Sequence, residues 1–271
     1  MKIGGHDFDL EHKGYIMGIL NVTPDSFSDG GRWQSLDAAL SQAEQMTADG
    51  AAILDIGGES TRPGHVKIPD EEEIERVVPV IEAVKARLDI PVSLDTYKYA
   101  VAKAGLEAGA DMINDIWGLR WEDGGRLAGL VAGTGAACCL MHNRRDENYA
   151  DFLTDYREDL QETLRIAYAA GISRERIVLD PGVGFAKTYE QNLLVINHLE
   201  LLAEFGLPVL LGTSRKRVIG TALDLPVHER EEGTAATTVI GRMKGASLFR
   251  VHDVKSNYRA LRMTEAVLNA G

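Results

Sequence analysis

The sequence predicts an α/β protein built as one (β/α)8 TIM barrel, and three observations carry that prediction. Eight short apolar runs recur along the 271 residues, at 15–20, 51–56, 90–94, 110–113, 136–141, 176–179, 207–211 and 247–251. The segments between them repeat apolar residues at helical spacing, the alternation expected of βαβ units with parallel strands. Polar side chains suited to chemistry close the runs: Asn21, Glu59, Asp95, Asn114, His142, Asp180, the Ser214-Arg215-Lys216 triplet, and Arg250 with His252. A closed barrel gathers all of them at the C-terminal ends of its strands, where such barrels carry their active sites. An open doubly wound sheet ranks second, because it would concentrate the polar strand ends around one switch point.

In chain order, the run 15–20 opens the barrel and stops at Asn21. Residues 35–49 then place Leu36, Ala39, Leu40, Ala43 and Met46 on one helical face and end before Gly50, a residue type suited to the position after a helix. Beyond 51–56, a helix over 70–88 opens with Asp70, Glu71, Glu72 and Glu73, which the positive end of the helix dipole favours. Its apolar stripe is Ile74, Val77, Val78, Ile81 and Val84. Later runs alternate with helical patterns at 97–108, 123–133, 151–170, 189–205, 230–244 and 256–269. No linker rich in Pro, Ser and Gly interrupts the series, so residues 1–271 read as a single domain of ordinary barrel size. Two longer segments, 22–32 and 57–69, collect Gly, Pro, Asp and Ser and read as loops that close over the site.

Composition excludes several function classes. A formal net charge of −12 argues against nucleic acid as a partner, while leaving room for a local basic pocket. The chain shows neither an N-terminal signal-like apolar stretch nor a run of 18 apolar residues, so membrane association is not expected and a cytoplasmic location is. The two cysteines, Cys138 and Cys139, are adjacent on a predicted strand and read as small core residues.

The motifs are more specific than the architecture. Met17-Gly-Ile-Leu-Asn-Val-Thr-Pro-Asp-Ser-Phe-Ser-Asp-Gly-Gly31 and Leu54-Asp-Ile-Gly-Gly-Glu-Ser-Thr-Arg-Pro-Gly64 resemble the first two signatures of the dihydropteroate synthase family. Ser93-Leu-Asp-Thr, Ile113-Asn-Asp-Ile, Met141-His142, Leu179-Asp-Pro-Gly-Val-Gly-Phe-Ala-Lys187, Gly212-Thr-Ser-Arg-Lys216 and Arg250-Val-His-Asp-Val254 continue the resemblance in the family's order over essentially the whole chain. It implies an enzyme, a transferase of folate biosynthesis. The reaction joins 6-hydroxymethyl-7,8-dihydropterin diphosphate to 4-aminobenzoate, releasing diphosphate and forming 7,8-dihydropteroate.

A pterin edge displays an amine, a ring N–H and a carbonyl, so a buried site for it needs fixed acceptors beside fixed donors. By resemblance, Asp95, Asn114, Asp180 and Lys216 hold the ring edge, and Ile116, Met141 and Phe185 complete its pocket. The resemblance assigns the diphosphate to Asn21, Thr61, Arg62, Arg250 and His252, with Mg2+ on the amide oxygen of Asn21. Phe27, Thr61, Pro63, Phe185, Ser214 and Lys216 are implied as the 4-aminobenzoate pocket, the place where sulfonamides compete. Asp95, Asp180, Lys216, Arg250 and His252 are the implied catalytic residues, acting by dissociative substitution at the pterin methylene without a covalent enzyme nucleophile. His142 reads as ordering the loop after the fifth run, and a homodimer is the implied assembly. Two other readings stand beside this one: a pterin-binding methyltransferase, which would need no diphosphate clamp, and a catalytically silent pterin-binding paralogue.

Overall fold

The computed structural model describes residues 1–22, 32–60, 66–121 and 125–270. A short hairpin, β1 (Lys2–Ile3) with β2 (His6–Asp7), precedes eight parallel strands. These are β3 (Tyr15–Asn21), β4 (Ala51–Gly57), β5 (Val92–Asp95), β6 (Met112–Asp115), β7 (Ala137–Met141), β8 (Ile177–Asp180), β9 (Leu210–Leu211) and β10 (Leu248–Val251). The sheet runs β8-β7-β6-β5-β4-β3-β10-β9, and a parallel bridge between Leu179 and Val209 joins its two ends into a ring. The predicted (β/α)8 barrel is therefore the architecture observed.

The ring is surrounded by α1 (Arg32–Ala48), α2 (Asp70–Arg87), α3 (Tyr99–Glu107), α4 (Arg126–Thr134), α5 (Phe152–Ala169), α6 (Tyr189–Asn197), α7 (Glu200–Ala203), α8 (Arg217–Leu223), α9 (Glu231–Met243) and α10 (Val254–Leu268). Three features depart from the sequence-based expectation. The helix expected over 189–205 is interrupted after Asn197, where His198 leaves helical geometry and Leu199 and Leu202 turn into the core. α8 is a helix additional to the one expected over 230–244, and the N-terminal hairpin is unanticipated because two-residue strands carry no readable period.

The two-residue alternation of the strands divides the core in two. Met17, Ile53, Met112, Cys139, Val178, Leu210 and Leu248 fill the barrel interior, and Ile3, Phe8 and Leu10 from the N-terminal segment cover its lower end. Their neighbours, among them Ile16, Leu54, Leu94, Ile113, Cys138, Leu179 and Phe249, pack outward on the helices. Both cysteines are buried and free, as expected of small core residues, and burial pushes the Cys138 thiol up to about 12. One step of alternation above the interior layer lie Ile19, Asp55, Asp95, Asn114, Met141, Asp180, Gly212 and Arg250. The period that packs the barrel thus delivers polar groups to its mouth.

Gly50 joins α1 to β4 at φ +108°, and a Cβ placed there would meet the Tyr258 ring of α10 at 2.6 Å. Gly50→Ala is expected to destabilise the protein by about 2 kcal/mol or more, from left-handed strain plus a ring clash. Urea denaturation checks this, and a midpoint equal to wild type at unchanged slope refutes it.

Candidate active site

At the centre of the mouth, Arg250 lies between two acids. Its Nε donates to Asp55 Oδ2 at 2.5 Å and its Nη2 to Asp95 Oδ2 at 2.6 Å. Asn114 Nδ2 also donates to Asp55 Oδ2, at 3.2 Å. The second oxygens of Asp55 and Asp95 are buried without a hydrogen-bond partner among the described residues. Burial raises the Asp95 carboxyl to about 7 against the pull of Arg250, and Asp55 pushes in the same direction. Burial opposes the Arg250 charge, but the two acids outweigh it and hold the guanidinium above its usual range. A buried carboxylate with an unused oxygen is an acceptor waiting for a donor.

Across the mouth, the Asp180 Oδ1 accepts from Gly182 N at 2.7 Å. Burial raises the Asp180 carboxyl, and the Lys216 ammonium works against that rise. Lys216 Nζ donates to Val183 O at 2.6 Å and sits 4.9 Å from the centre of the Phe185 ring. Burial lowers its ammonium to about 8, with Asp180 opposing. Ile116, Met141 and Phe185 belong to one apolar cluster with Tyr97, Trp117 and Trp121. Two inward glycines leave room between these groups: a Cβ on Gly212 would lie 3.7 Å from Asp180 Oδ2, and one on Gly57 3.7 Å from Asn21 Oδ1. Apolar surface, unused acceptors and cationic donors converge there on a space suited to a flat, polar-edged ring.

Two buried charge networks support the strand-end loops. Lys98 Nζ bridges Glu59 Oε2 at 2.6 Å and Glu73 Oε2 at 2.7 Å, and donates to Ile68 O at 2.8 Å. Tyr97 Oη donates to Glu59 Oε1 at 3.0 Å. Glu59, which the sequence placed at the mouth, is thus tied to Tyr97 and Lys98 beyond β5 and accepts from Ile68 N at 2.9 Å. On the opposite side, the fully buried His142 has Nε2 3.0 Å from Asp159 Oδ2 and Nδ1 2.8 Å from Lys187 Nζ. Asp159 is also bound by Arg120 and Arg144. Burial pushes His142 down to about 3, with the Lys187 charge adding to that effect. The neutral ring can then donate from Nε2 to Asp159 and accept at Nδ1 from Lys187.

Most of the predicted site residues meet here. Asp95, Asn114, Ile116, Met141, Asp180, Phe185, Ser214, Lys216, Arg250 and His252 all stand at the strand ends or on the connections just beyond them. Arg250 and His252, expected to face one anion together, have different partners: His252 Nδ1 lies 2.9 Å from Ser214 Oγ. Phe27, Thr61, Arg62 and Pro63 lie outside the described residues. Asn21, the expected magnesium ligand, is half-buried at the end of β3 with its amide oxygen 3.7 Å from where a Cβ on Gly57 would lie. One neutral oxygen suits a hard cation that retains waters and takes its other ligands from substrate phosphates.

Sequence reasoning assigned no role to Asp55, although its inward phase was readable from Ile53 two residues before it. It also assigned none to Lys187 or Lys98, and gave Glu73 only its place in the acidic first turn of its helix; their partners come from distant segments.

A parallel barrel whose mouth joins an apolar ring wall to buried acceptors and cationic donors defines a pterin-binding barrel enzyme, and the family model described as "Pterin binding enzyme" matches residues 17–252. A dihydropteroate synthase of Clostridium beijerinckii is 54% identical over 99% of this chain and 99% of its own length. The crystal structure of a Clostridium difficile dihydropteroate synthase, solved in the presence of pteroic acid, superposes with a TM-score of 0.93 at 48% identity, covering 96% of this chain and 99% of that one. A Yersinia pestis dihydropteroate synthase in complex with a sulfonamide drug superposes with a TM-score of 0.92 at 42% identity, covering 100% and 99% of the two chains. The chain belongs to the dihydropteroate synthase family.

The His142 network makes an acid-lability prediction. A histidine whose folded pKa is depressed contributes stability that is complete above its unfolded value near 6.5 and is lost as pH falls toward about 3. Wild type should lose up to about 1.4 kcal/mol per pH unit in that window from this group alone. His142→Asn, which has no proton to take up, should show a shallower decline in urea denaturation at pH 7, 5 and 4. Parallel pH profiles for the two proteins exclude this origin.

Proposed function

We infer that this protein condenses 6-hydroxymethyl-7,8-dihydropterin diphosphate with 4-aminobenzoate, giving 7,8-dihydropteroate and diphosphate. The observation that carries the inference is the convergence of Asp95, Asn114, Asp180, Lys216 and Arg250 around one apolar wall, in a chain of this family. Relatives matching nearly the whole chain bear the synthase name, which favours this reading over the methyltransferase.

Asp180 accepts from the pterin amine and adjacent ring N–H through the oxygen that Gly182 does not occupy. Asn114 meets the ring edge, Asp95 takes the donors on its far side, and Lys216 donates to a ring carbonyl or nitrogen. Ile116, Met141 and Phe185 hold the apolar faces. Breaking the C–O bond leaves negative charge on the departing diphosphate and positive charge on the pterin methylene. Arg250, already oriented by two carboxylates, faces that leaving group with Asn21, His252, Thr61 and Arg62, while Asp95 and Asp180 favour the electron-poor pterin. A magnesium ion carried on the diphosphate and touching Asn21 would neutralise leaving-group charge. The amine of 4-aminobenzoate then attacks from a pocket of Phe27, Thr61, Pro63, Phe185, Ser214 and Lys216, which sulfonamides would share. The protein works in the cytoplasm as a homodimer in this reading. Exposed Ile240 and Met243 on α9 and Met263, Val267 and Leu268 on α10 offer the apolar surface for pairing.

Purified protein should release diphosphate only when the pterin diphosphate, 4-aminobenzoate and magnesium are all supplied, with dihydropteroate formed in equal amount. Pterin binding without turnover would point to the silent paralogue. Asp180→Ala should weaken binding of the free pterin by roughly 100-fold, since ring donors would be buried without an acceptor. Arg250→Lys should leave that binding within about threefold yet slow diphosphate release by roughly 100-fold, a point charge replacing an oriented fork. Calorimetry showing equal losses of free pterin affinity in the two variants would contradict this division of roles.

A further inference from the structure

The connection after β8 is held in an unusual way. Gly182 O accepts from Lys187 Nζ at 3.0 Å, Val183 O from Lys216 Nζ at 2.6 Å, Phe185 O from Lys187 Nζ at 3.1 Å, and Ala186 O from Tyr149 Oη at 2.7 Å. Side chains therefore fix four carbonyls within five residues. The Lys187 amine is buried, which lowers it to about 7, and three acceptors surround it: the two carbonyls and His142 Nδ1 at 2.8 Å, one for each proton of its charged form. Two backbone features add constraint. Ala186 adopts φ +42°, the left-handed region that a residue with a Cβ avoids, and Gly182 at φ +70° lies so close to His142 O that a Cβ would approach it to 1.9 Å.

The residue between these restraints is Phe185. Its half-buried ring packs with Ile116 and Met141 and lies 4.9 Å from Lys216 Nζ. A surface connection needing only hydrogen-bonded carbonyls would find water. Here a buried lysine, a tyrosine from the β7–α5 connection and a strained alanine all bear on the position of one ring.

We propose that Lys187 and Tyr149 are positioning residues that fix the turn after β8 so that Phe185 forms a rigid wall beside Lys216, and that this wall sets the affinity for the ring of 4-aminobenzoate. The proposal rests on the synthase reading for its substrate. Lys187 touches no substrate in this account and acts on the turn through the carbonyls of Gly182 and Phe185, with His142 Nδ1 as its third partner. The Tyr149 hydroxyl acts through Ala186 O. The pterin acceptors Asp95, Asn114 and Asp180 stand on strands held by the sheet, so they should be affected much less.

The test compares full-length wild type, Lys187→Met and Tyr149→Phe. Tyr149→Phe removes a single hydroxyl and keeps the ring, so it serves even if Lys187→Met does not fold. The KM for 4-aminobenzoate should rise at least about tenfold in Lys187→Met and about threefold in Tyr149→Phe, with kcat within about twofold and free pterin affinity within about threefold of wild type. A merely structural role would lower the melting temperature and leave this split absent. An unchanged KM in folded Tyr149→Phe, or parallel losses of kcat and pterin affinity, overturns the proposal. Failure of wild type itself to form product counts against the synthase reading, and the positioning claim is then decided by amide exchange over residues 183–187. That exchange should quicken at least about tenfold in either variant, and unchanged exchange overturns the claim.

Discussion

Everything at the mouth of this barrel depends on the two-residue period of a closed parallel sheet. Each strand turns one set of side chains inward and the alternate set outward, and the register shift between β3 and β4 at Ile16 and Met17 lies before the residues that reach the mouth. Below the mouth, the inward set is Met17, Ile53, Met112, Cys139, Val178, Leu210 and Leu248. Two residues further, the same phase yields Asp55, Asn114, Asp180 and Arg250, so the packing that stabilises the barrel also aims its polar groups. Burying those groups is tolerable because they arrive as a set: Arg250 against Asp55 and Asp95, Lys216 against Asp180, Lys98 against Glu59 and Glu73. None of these charges would be stable alone at such depth.

Strong periodicity made most of the fold legible. The acidic first turn and apolar stripe of α2, and Gly50 at the end of the first α-segment, are local signals that tertiary contacts reinforce. The hairpin β1–β2 left no trace because two residues per strand show no alternation, and β9 is short because Val209 contributes only one bridge. The interruption at His198 depends on Leu199 and Leu202 finding the core, which spacing alone does not reveal.

Site legibility followed the same division. Strand-terminal polar residues inside recognisable motifs, such as Asp95, Asn114 and Asp180, announce themselves. Asp55 did not, because it sits within the apolar run 51–56 and passes for part of a buried strand; only its phase relative to Ile53 marks it. Glu59 was visible as the end of a run, but its pairing with Lys98 from another strand end was not. Lys187 was visible as the last residue of a motif, but its function depends on carbonyl directions that no linear pattern encodes.

The ring of strands also has a seam. Between β8 and β9 the sheet is joined by the Leu179–Val209 bridge, with Leu179 N donating to Pro208 O at 2.9 Å, far less than the ladders elsewhere. Asp180 is the next residue along β8, and Lys216 crosses the same gap to reach Val183 O. The site therefore straddles the thinnest joint of the barrel, and a ring bound between Asp180 and Lys216 would act as a rivet. Occupancy should then be felt by the whole cylinder, tightening its breathing as a hoop tightens a cask.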